Sequence, residues 1–158
     1  MKTRYKITII TGIILIVVRF ALAEPYRVSG DCMEPAIKDG SSYFVNRISS
    51  HLRKYKTDDI IIFEHEEKTW ISRIVALAGD TIQITEGSIT LNGVILQEKN
   101  VHRNWSGWDY GTYAINTPLQ IPKDYVFVLS DNLPARHDDS RVFGPISKDS
   151  ISGLVWQL

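Results

Sequence analysis

The stretch that decides the fold runs from residue 59 to residue 77 and reads DIIIFEHEEKTWISRIVAL. Its first part, residues 59–64, is a β-branched run bounded by charges, which is typical of a strand. Its second part, residues 69–77, alternates loosely between apolar and polar side chains and is followed by a turn signal at Gly79-Asp80. The two parts predict neighbouring strands in a β-rich body.

The remainder of the body has the same character. Asn92-Gly93 between apolar flanks is the strongest hairpin signal in the chain. Further strands are predicted at residues 43–47, 81–85, 88–96, 125–129 and 151–156, and no long amphipathic helix follows residue 25. The sequence therefore predicts a mostly β domain, a folded sheet or barrel-like body.

Residues 98–122 differ from these runs. They combine Trp105, Trp108, Tyr110 and Tyr113 with glycines and prolines, which predicts an irregular excursion. Its aromatic rings could enter a membrane interface. The interpretation we favour is that they cover a small core.

Composition excludes several classes of protein. The formal net charge of the 158 residues is zero, which gives no indication of nucleic-acid binding. The single cysteine excludes an intrachain disulfide and a cysteine-based zinc cluster, and the four histidines are scattered. We expect no metal site and no other cofactor.

The N-terminus is charged and then apolar. Lys2, Arg4 and Lys6 precede an apolar run from residue 7 to residue 23 that is interrupted by Arg19. This pattern suits a membrane anchor with a cytoplasmic N-terminus, and equally a cleaved signal peptide ending at Ala21-Leu22-Ala23. Both alternatives place the body of the protein outside the cytoplasm.

Three short stretches together resemble the motifs of one family. Residues 28–36, VSGDCMEPA, resemble V-x-G-x-S-M-x-P-T, and residues 70–80, WISRIVALAGD, resemble Y-x-K-R-[IV]-x-x-x-x-G-D. Residues 130–132, SDN, followed by DSR at 139–141 and FG at 143–144, resemble G-D-N…S-x-D-S-R…G. Their order and spacing are similar to those of the type I signal peptidases.

The resemblance implies a bacterial plasma-membrane protein. Residues 1–25 would be a single-pass anchor helix, and residues 26–158 an extracytoplasmic β domain of the signal-peptidase type. The partners implied are membrane lipid and the signal peptides of exported proteins, bound as an extended strand with small residues at the cleavage site. Members of the family use a serine nucleophile and a neutral lysine base.

All three polar catalytic positions of the family are changed in this chain. Cys32 stands at the nucleophile position, and Ser72 stands at the position of the general-base lysine. The third motif has one extra residue, and counting back from its end places His137 at the accessory-serine position. Gly30 and Cys32 would form the oxyanion turn.

The sequence leaves open which residue would act as the general base. Ser72 does not titrate in the useful range, and Lys68 would lie about 13 Å away along an extended strand. His137 could act as a relocated base toward Cys32, oriented by Asp138 or Asp139, or it could be a solvated loop residue. Cys32 could likewise be a nucleophile or a small residue that fills a serine-sized space.

Other motif residues are predicted to support the site. Met33 and Pro35 would shape the turn and the substrate-side wall. A network beneath the site would be formed by Arg73, Asp131, Asn132, Asp139, Ser140 and Arg141.

Two functions follow from the resemblance. The first is a membrane-anchored endopeptidase that cleaves signal peptides with Cys32 at the nucleophile position. The alternative is an inactive relative, lacking the lysine, that binds exported chains or partners without cleaving them.

Overall fold

The computed structural model of the chain describes residues 8–12, 23–46, 53–97 and 105–155. Residues 8–12 are helical, and the remainder of the predicted anchor up to residue 22 lies outside the described residues. Within the described ranges, no helix is both long and apolar enough to cross a membrane. A strand begins at Ala23, so the last three residues of the segment predicted as an anchor are extended instead.

The described part of the chain folds into two antiparallel sheets. The strands are β1 (Ala23–Arg27), β2 (Ser42–Asn46), β3 (Ile60–His65), β4 (Lys68–Leu77), β5 (Thr81–Thr85), β6 (Ser88–Leu91), β7 (Val94–Ile95), β8 (Leu119–Gln120), β9 (Tyr125–Leu129), β10 (Ile146–Ser147) and β11 (Ile151–Val155). The larger sheet has the order β1-β2-β11-β3-β4-β9-β10, and the smaller has the order β7-β6-β5-β8. This architecture confirms the predicted mostly β fold.

Strand β3 lies at the centre of the larger sheet and is buried on both faces. Ile60 and Ile62 pack in one hydrophobic cluster, and Ile61 and Phe63 pack in another. Successive side chains of a strand point to opposite faces, so a doubly covered strand is apolar at every position. This explains the uninterrupted run IIIF.

Two hairpins of the fold have their strands connected by two-residue turns. Asn92 and Gly93 have φ values of 53° and 82° between β6 and β7, which confirms the predicted hairpin. Glu66 and Glu67 connect β3 and β4 with φ values of 49° and 62°. Two glutamates carry no preference for left-handed backbone, so the sequence predicted the flanking strands without this turn.

The predicted irregular excursion covers one of the hydrophobic clusters of the domain. Trp105 and Trp108 pack against the cluster that includes Phe127 and Leu129, which supports the core-covering interpretation. Residues 105–118 are mostly turns and bends, and β8 then joins the smaller sheet. The short strands β1, β8 and β10 were not predicted, because two to five residues at sheet edges give too little periodicity.

Two short 3-10 helices and one short α-helix complete the described fold. The 3-10 helices are Leu133–Ala135 and Lys148–Ser150. The α-helix, Ser140–Phe143, follows β9 and begins at the Asp139 cap, whose side chain accepts a hydrogen bond from the Arg141 amide. These segments bring the third motif back against the end of β9.

Candidate active site

The turn that carries Cys32 is built by its neighbours. Gly30 has a φ of +107°, a conformation that L residues rarely adopt, and its N–H donates to Asp39 Oδ1 at 2.8 Å. Met33 is fully buried in the cluster with Ile62 and Ile71, and Cys32 packs against that same cluster. Met33 therefore anchors the turn from below and does not form the predicted substrate-side wall.

The remaining predicted members of the turn have different positions. Pro35 is exposed and is not among the residues that line the cavity beside Cys32. The N–H of Gly30 donates to the Asp39 carboxylate, so within the predicted oxyanion turn Gly30 contributes its backbone conformation and not a free N–H. The N–H groups of Cys32 and Met33 instead lie where they stabilise a negative charge on the Cys32 sulfur.

Asn132 fastens the Cys32 turn to the third motif. Its backbone N–H donates to the Cys32 carbonyl oxygen at 2.9 Å, and its Nδ2 donates to the Asp31 carbonyl oxygen at 3.0 Å. These two hydrogen bonds, which span 100 and 101 residues of the chain, fix the backbone that carries the thiol. Asn132 therefore holds the turn that carries Cys32 against the third motif.

A cavity of about 430 Å³ opens beside the thiol. It brings together Cys32, Ser72 and His137, the three residues that the sequence placed at changed catalytic positions. The remaining lining residues are Tyr26, Ser29, Lys68, Thr69, Trp70, Ile71, Ser130 and Asp138. Residues separated by more than 100 positions in the chain thus meet in one space.

Arg73 and Asp131 form a fully buried ion pair beneath the site. Arg73 Nε lies 2.9 Å from Asp131 Oδ1, Arg73 Nη2 lies 2.7 Å from Asp131 Oδ2, and both side chains are 0% exposed. Arg73 Nη1 also donates to the Asp58 carbonyl oxygen at 3.1 Å. This pair joins β4 to the end of β9.

A second buried pair joins Asp139 to Arg141. Arg141 Nε and Nη2 donate to the two carboxylate oxygens at 2.9 and 2.8 Å, and the N–H and hydroxyl of Ser130 donate to Asp139 Oδ2. Ser140 Oγ accepts from the Val128 amide at 2.9 Å. The predicted network therefore contains two buried ion pairs, one between Arg73 and Asp131 and one between Arg141 and Asp139.

His137 is held by a residue that the sequence did not indicate. Its Nε2 lies 2.7 Å from Asp31 Oδ1, and this contact lowers the pKa of Asp31. The predicted partners are engaged elsewhere, because Asp139 binds Arg141 and Asp138 accepts from the Tyr110 hydroxyl at 3.0 Å. In the residues that the structure describes, no hydrogen bond joins His137 to the Cys32 thiol.

The Cys32 thiol is protonated at neutral pH. Burial raises its pKa from 9.0 to about 11, and the negative charges of Asp31 and Asp131 act in the same direction. The backbone N–H groups of Cys32 and Met33 oppose this rise without cancelling it. The thiol therefore needs a base or a nearby cation before it can act as a nucleophile.

Seven residues that line the cavity were not predicted as site residues: Tyr26, Ser29, Lys68, Thr69, Trp70, Ile71 and Ser130. Ser130 lies in the third motif at a position where the family has glycine, and the distance along an extended strand argues against a role for Lys68. Lys68 is exposed at the first position of β4, and its long side chain reaches the rim of the cavity. Among the described residues, no group of three His, Cys, Asp or Glu side chains could hold a metal ion.

Comparisons with known proteins agree with this geometry. The chain is 32% identical to "Signal peptidase I P" of Bacillus subtilis subsp. natto, covering 94% of the chain and 82% of that protein. It is 32% identical to "Thylakoidal processing peptidase 1, chloroplastic" of Arabidopsis thaliana, covering 87% of the chain and 42% of that protein.

A solved structure and a family match extend these similarities. The crystal structure of a signal peptidase I from Enterococcus faecalis V583 matches with a TM-score of 0.51 and 30% identity, over 65% of this chain and 97% of that one. Residues 1–156 match the family described as "Signal peptidase, peptidase S26". The chain therefore belongs to the signal peptidase S26 family.

Proposed function

We propose that this protein is a membrane-anchored endopeptidase that cleaves signal peptides of exported proteins with Cys32 as its nucleophile. Family membership supports the reaction class. The observation that carries the choice of nucleophile is that Cys32 and His137 line one cavity, with His137 held by Asp31. The anchor, a single pass with a cytoplasmic N-terminus in the bacterial plasma membrane, rests on the apolar segment of residues 7–23.

The proposed chemistry uses groups that line this cavity. His137 accepts the thiol proton as the sulfur attacks the scissile carbonyl carbon, and the Cys32 N–H donates to the resulting oxyanion. The imidazolium then protonates the leaving amine, so the peptide bond breaks and a thioester remains. Water hydrolyses the thioester, which releases the new carboxylate and restores the thiol.

The contact between Asp31 and His137 determines which ring nitrogen of His137 can act as the base. Because Asp31 Oδ1 contacts Nε2, the other ring nitrogen is the one available to act as base. Rotation of the His137 side chain has to bring that nitrogen to the thiol, since the two groups are not hydrogen-bonded in the described structure. Asp31 would stabilise the imidazolium once it forms, as a carboxylate does in other nucleophile–histidine sites.

A specific observation favours the second candidate, a non-cleaving relative that binds exported chains. The pKa of the Cys32 thiol is raised to about 11, and the lysine position holds Ser72, which is 2% exposed. A protonated thiol without an adjacent base is a poor nucleophile. The cavity beside Cys32 would then bind extended chains without hydrolysing them.

Cleavage of a purified preprotein tests the first candidate. The full-length protein is compared with Cys32→Ala, His137→Ala and Asp31→Asn, and with Asp149→Asn as a matched surface control in an exposed 3-10 turn. We expect cleavage by the wild type and the control, loss in Cys32→Ala, and a reduction of about 100-fold or more in His137→Ala. Activity that persists in Cys32→Ala would exclude the thiol as the nucleophile.

A gain-of-function variant tests the second candidate. Cys32→Ser/Ser72→Lys places a hydroxyl and an amine at the two positions where the family has them. If the wild type is inactive and the double variant cleaves the preprotein, the groove is functional and only the catalytic pair is missing. If both are inactive and neither binds the preprotein, the binding function is also excluded.

A further inference from the structure

The excursion packs against the loop that carries His137. Arg141 Nη1 donates to the Gly107 carbonyl oxygen at 3.0 Å, and the Tyr113 amide donates to the Arg141 carbonyl oxygen at 2.9 Å. A Cβ at Gly107 would lie 3.0 Å from the Leu133 carbonyl oxygen, so the two segments are in close contact there as well. The excursion therefore holds the loop both before and after His137.

His137 and Asp138 lie between these points and are held by their side chains. Within the described residues, neither of them makes a backbone–backbone hydrogen bond. His137 Nε2 lies 2.7 Å from Asp31 Oδ1, and Asp138 Oδ1 accepts from the Tyr110 hydroxyl at 3.0 Å. The hydrogen bond to Asp138 raises the pKa of Tyr110, so the phenol remains the donor. One contact leads to the turn that carries Cys32 and the other leads to the excursion.

The position of the Asp138 carboxylate matters to the imidazole beside it. Both side chains line the same cavity, and an imidazole with one nitrogen on Asp31 has one nitrogen left. A second carboxylate that is free to turn would bind that nitrogen in its protonated form, because opposite charges attract. A protonated nitrogen cannot accept the thiol proton of Cys32.

Charged residues stand near His137 on three segments of the chain. They are Asp31 on the turn that carries Cys32, Lys68 on β4, and Arg136 and Asp138 on either side of His137 in the loop. Asp139, the next acidic residue, is bound through both carboxylate oxygens to Arg141. Of these acidic residues, Asp138 is the one that a neutral hydroxyl holds.

We propose that Tyr110 is a positioning residue for His137 and that it acts through Asp138. Its hydroxyl keeps the Asp138 carboxylate beside the excursion, so one ring nitrogen contacts Asp31 and the other is free. Without Tyr110, two carboxylates would compete for one imidazole. A free ring nitrogen serves catalysis only if His137 is the base, so this role rests on the proposed function.

Long-range proton–nitrogen correlation NMR measures the protonation of each ring nitrogen. The full-length protein is labelled with isotopic nitrogen in its histidines, and the His137 signals are identified by their loss in His137→Ala. The quantity compared at neutral pH is the ratio of doubly to singly protonated imidazole. Tyr110→Phe removes the hydroxyl and keeps the ring, and it should raise this ratio by about threefold, as one partly exposed ion pair does.

Further variants separate this role from a general loosening of the loop. In an Asp138→Asn background no charge is released, so Tyr110→Phe should leave the ratio unchanged. Tyr113→Phe is the matched control, because Tyr113 belongs to the same excursion, is 43% exposed and lies with its ring against Gly144. It should behave like the wild type.

The pH–rate profile of preprotein cleavage provides a second measurement. Tyr110→Phe should lower kcat by about threefold on the acid side of the profile, because less of the base is unprotonated there. The plateau at high pH and KM should stay unchanged, since the groups that bind the substrate are not altered. A merely structural defect would lower kcat at every pH.

Each outcome decides the proposal. A higher ratio in Tyr110→Phe that is absent in the Asp138→Asn background supports it. An unchanged or lower ratio in Tyr110→Phe, a rise that persists in the Asp138→Asn background, or an equal rise in Tyr113→Phe overturns it. If the wild type does not cleave the preprotein, the proposed function fails while the ratio still decides whether Tyr110 positions His137. The two failures are therefore distinguishable.

Discussion

Replacing Arg73 by methionine should be among the most damaging single substitutions in the domain. The guanidinium donates to both oxygens of Asp131 at 2.9 and 2.7 Å and to the Asp58 carbonyl oxygen at 3.1 Å. Methionine fills much of the space but leaves the Asp131 carboxylate, which is 0% exposed, without its counter-ion. Breaking a buried pair in this way costs about 3–5 kcal/mol.

The chain contains a matched control for this prediction. Arg53 also binds an aspartate through two hydrogen bonds of 2.8 Å, to Asp59, but its side chain is 41% exposed. Solvent screens such a pair, so Arg53→Met should cost at most about 1 kcal/mol. The comparison holds the chemistry constant and changes only burial.

Urea unfolding followed by tryptophan fluorescence measures both losses. Arg73→Met should lower the midpoint far more than Arg53→Met, with similar slopes. Arg73→Met/Asp131→Asn should regain part of the loss, because no unpaired charge remains buried. Equal losses in the two single variants, or a loss below about 1 kcal/mol for Arg73→Met, would refute the reasoning from burial.

Four further outcomes are expected. Because the pKa of Cys32 is raised from 9.0 to about 11, its alkylation rate at pH 7 should be about a hundredfold below that of an unperturbed thiol, and a pH–rate profile checks this. Gly111→Ala should destabilise the domain by about 3 kcal/mol in urea unfolding, because a Cβ there would lie 2.3 Å from the Arg141 carbonyl oxygen. Gly87→Ala, whose Cβ meets nothing within 4 Å, should cost only about 1 kcal/mol from its positive φ. The pKa of Asp31 is lowered by the imidazole beside it, so its contribution to stability is present above the unfolded pKa of about 4 and is lost as pH falls below that value. Asp31→Asn should remove this part of the acid dependence, as measured by urea unfolding over a series of pH values.

The positions of the main strands could be predicted from the sequence because each of these strands carries its own pattern of apolar residues. The run of residues 59–64 predicted β3 to within one residue, and residues 125–129 predicted β9 completely. The hairpin at Asn92-Gly93 was predictable from turn chemistry, since the pair supports left-handed backbone. In contrast, the Glu66-Glu67 turn has no such signal and is imposed by the pairing of β3 with β4.

The sequence by itself predicted which residues occupy the family's catalytic positions, namely Cys32, Ser72 and His137. Only the tertiary structure decided what surrounds them. Local patterns report neighbours in the chain, whereas His137 meets Asp31 across 106 residues and Arg73 meets Asp131 across 58. Charge, burial and hydrogen bonding depend on such distant contacts, and they set whether Cys32 is a thiol or a thiolate.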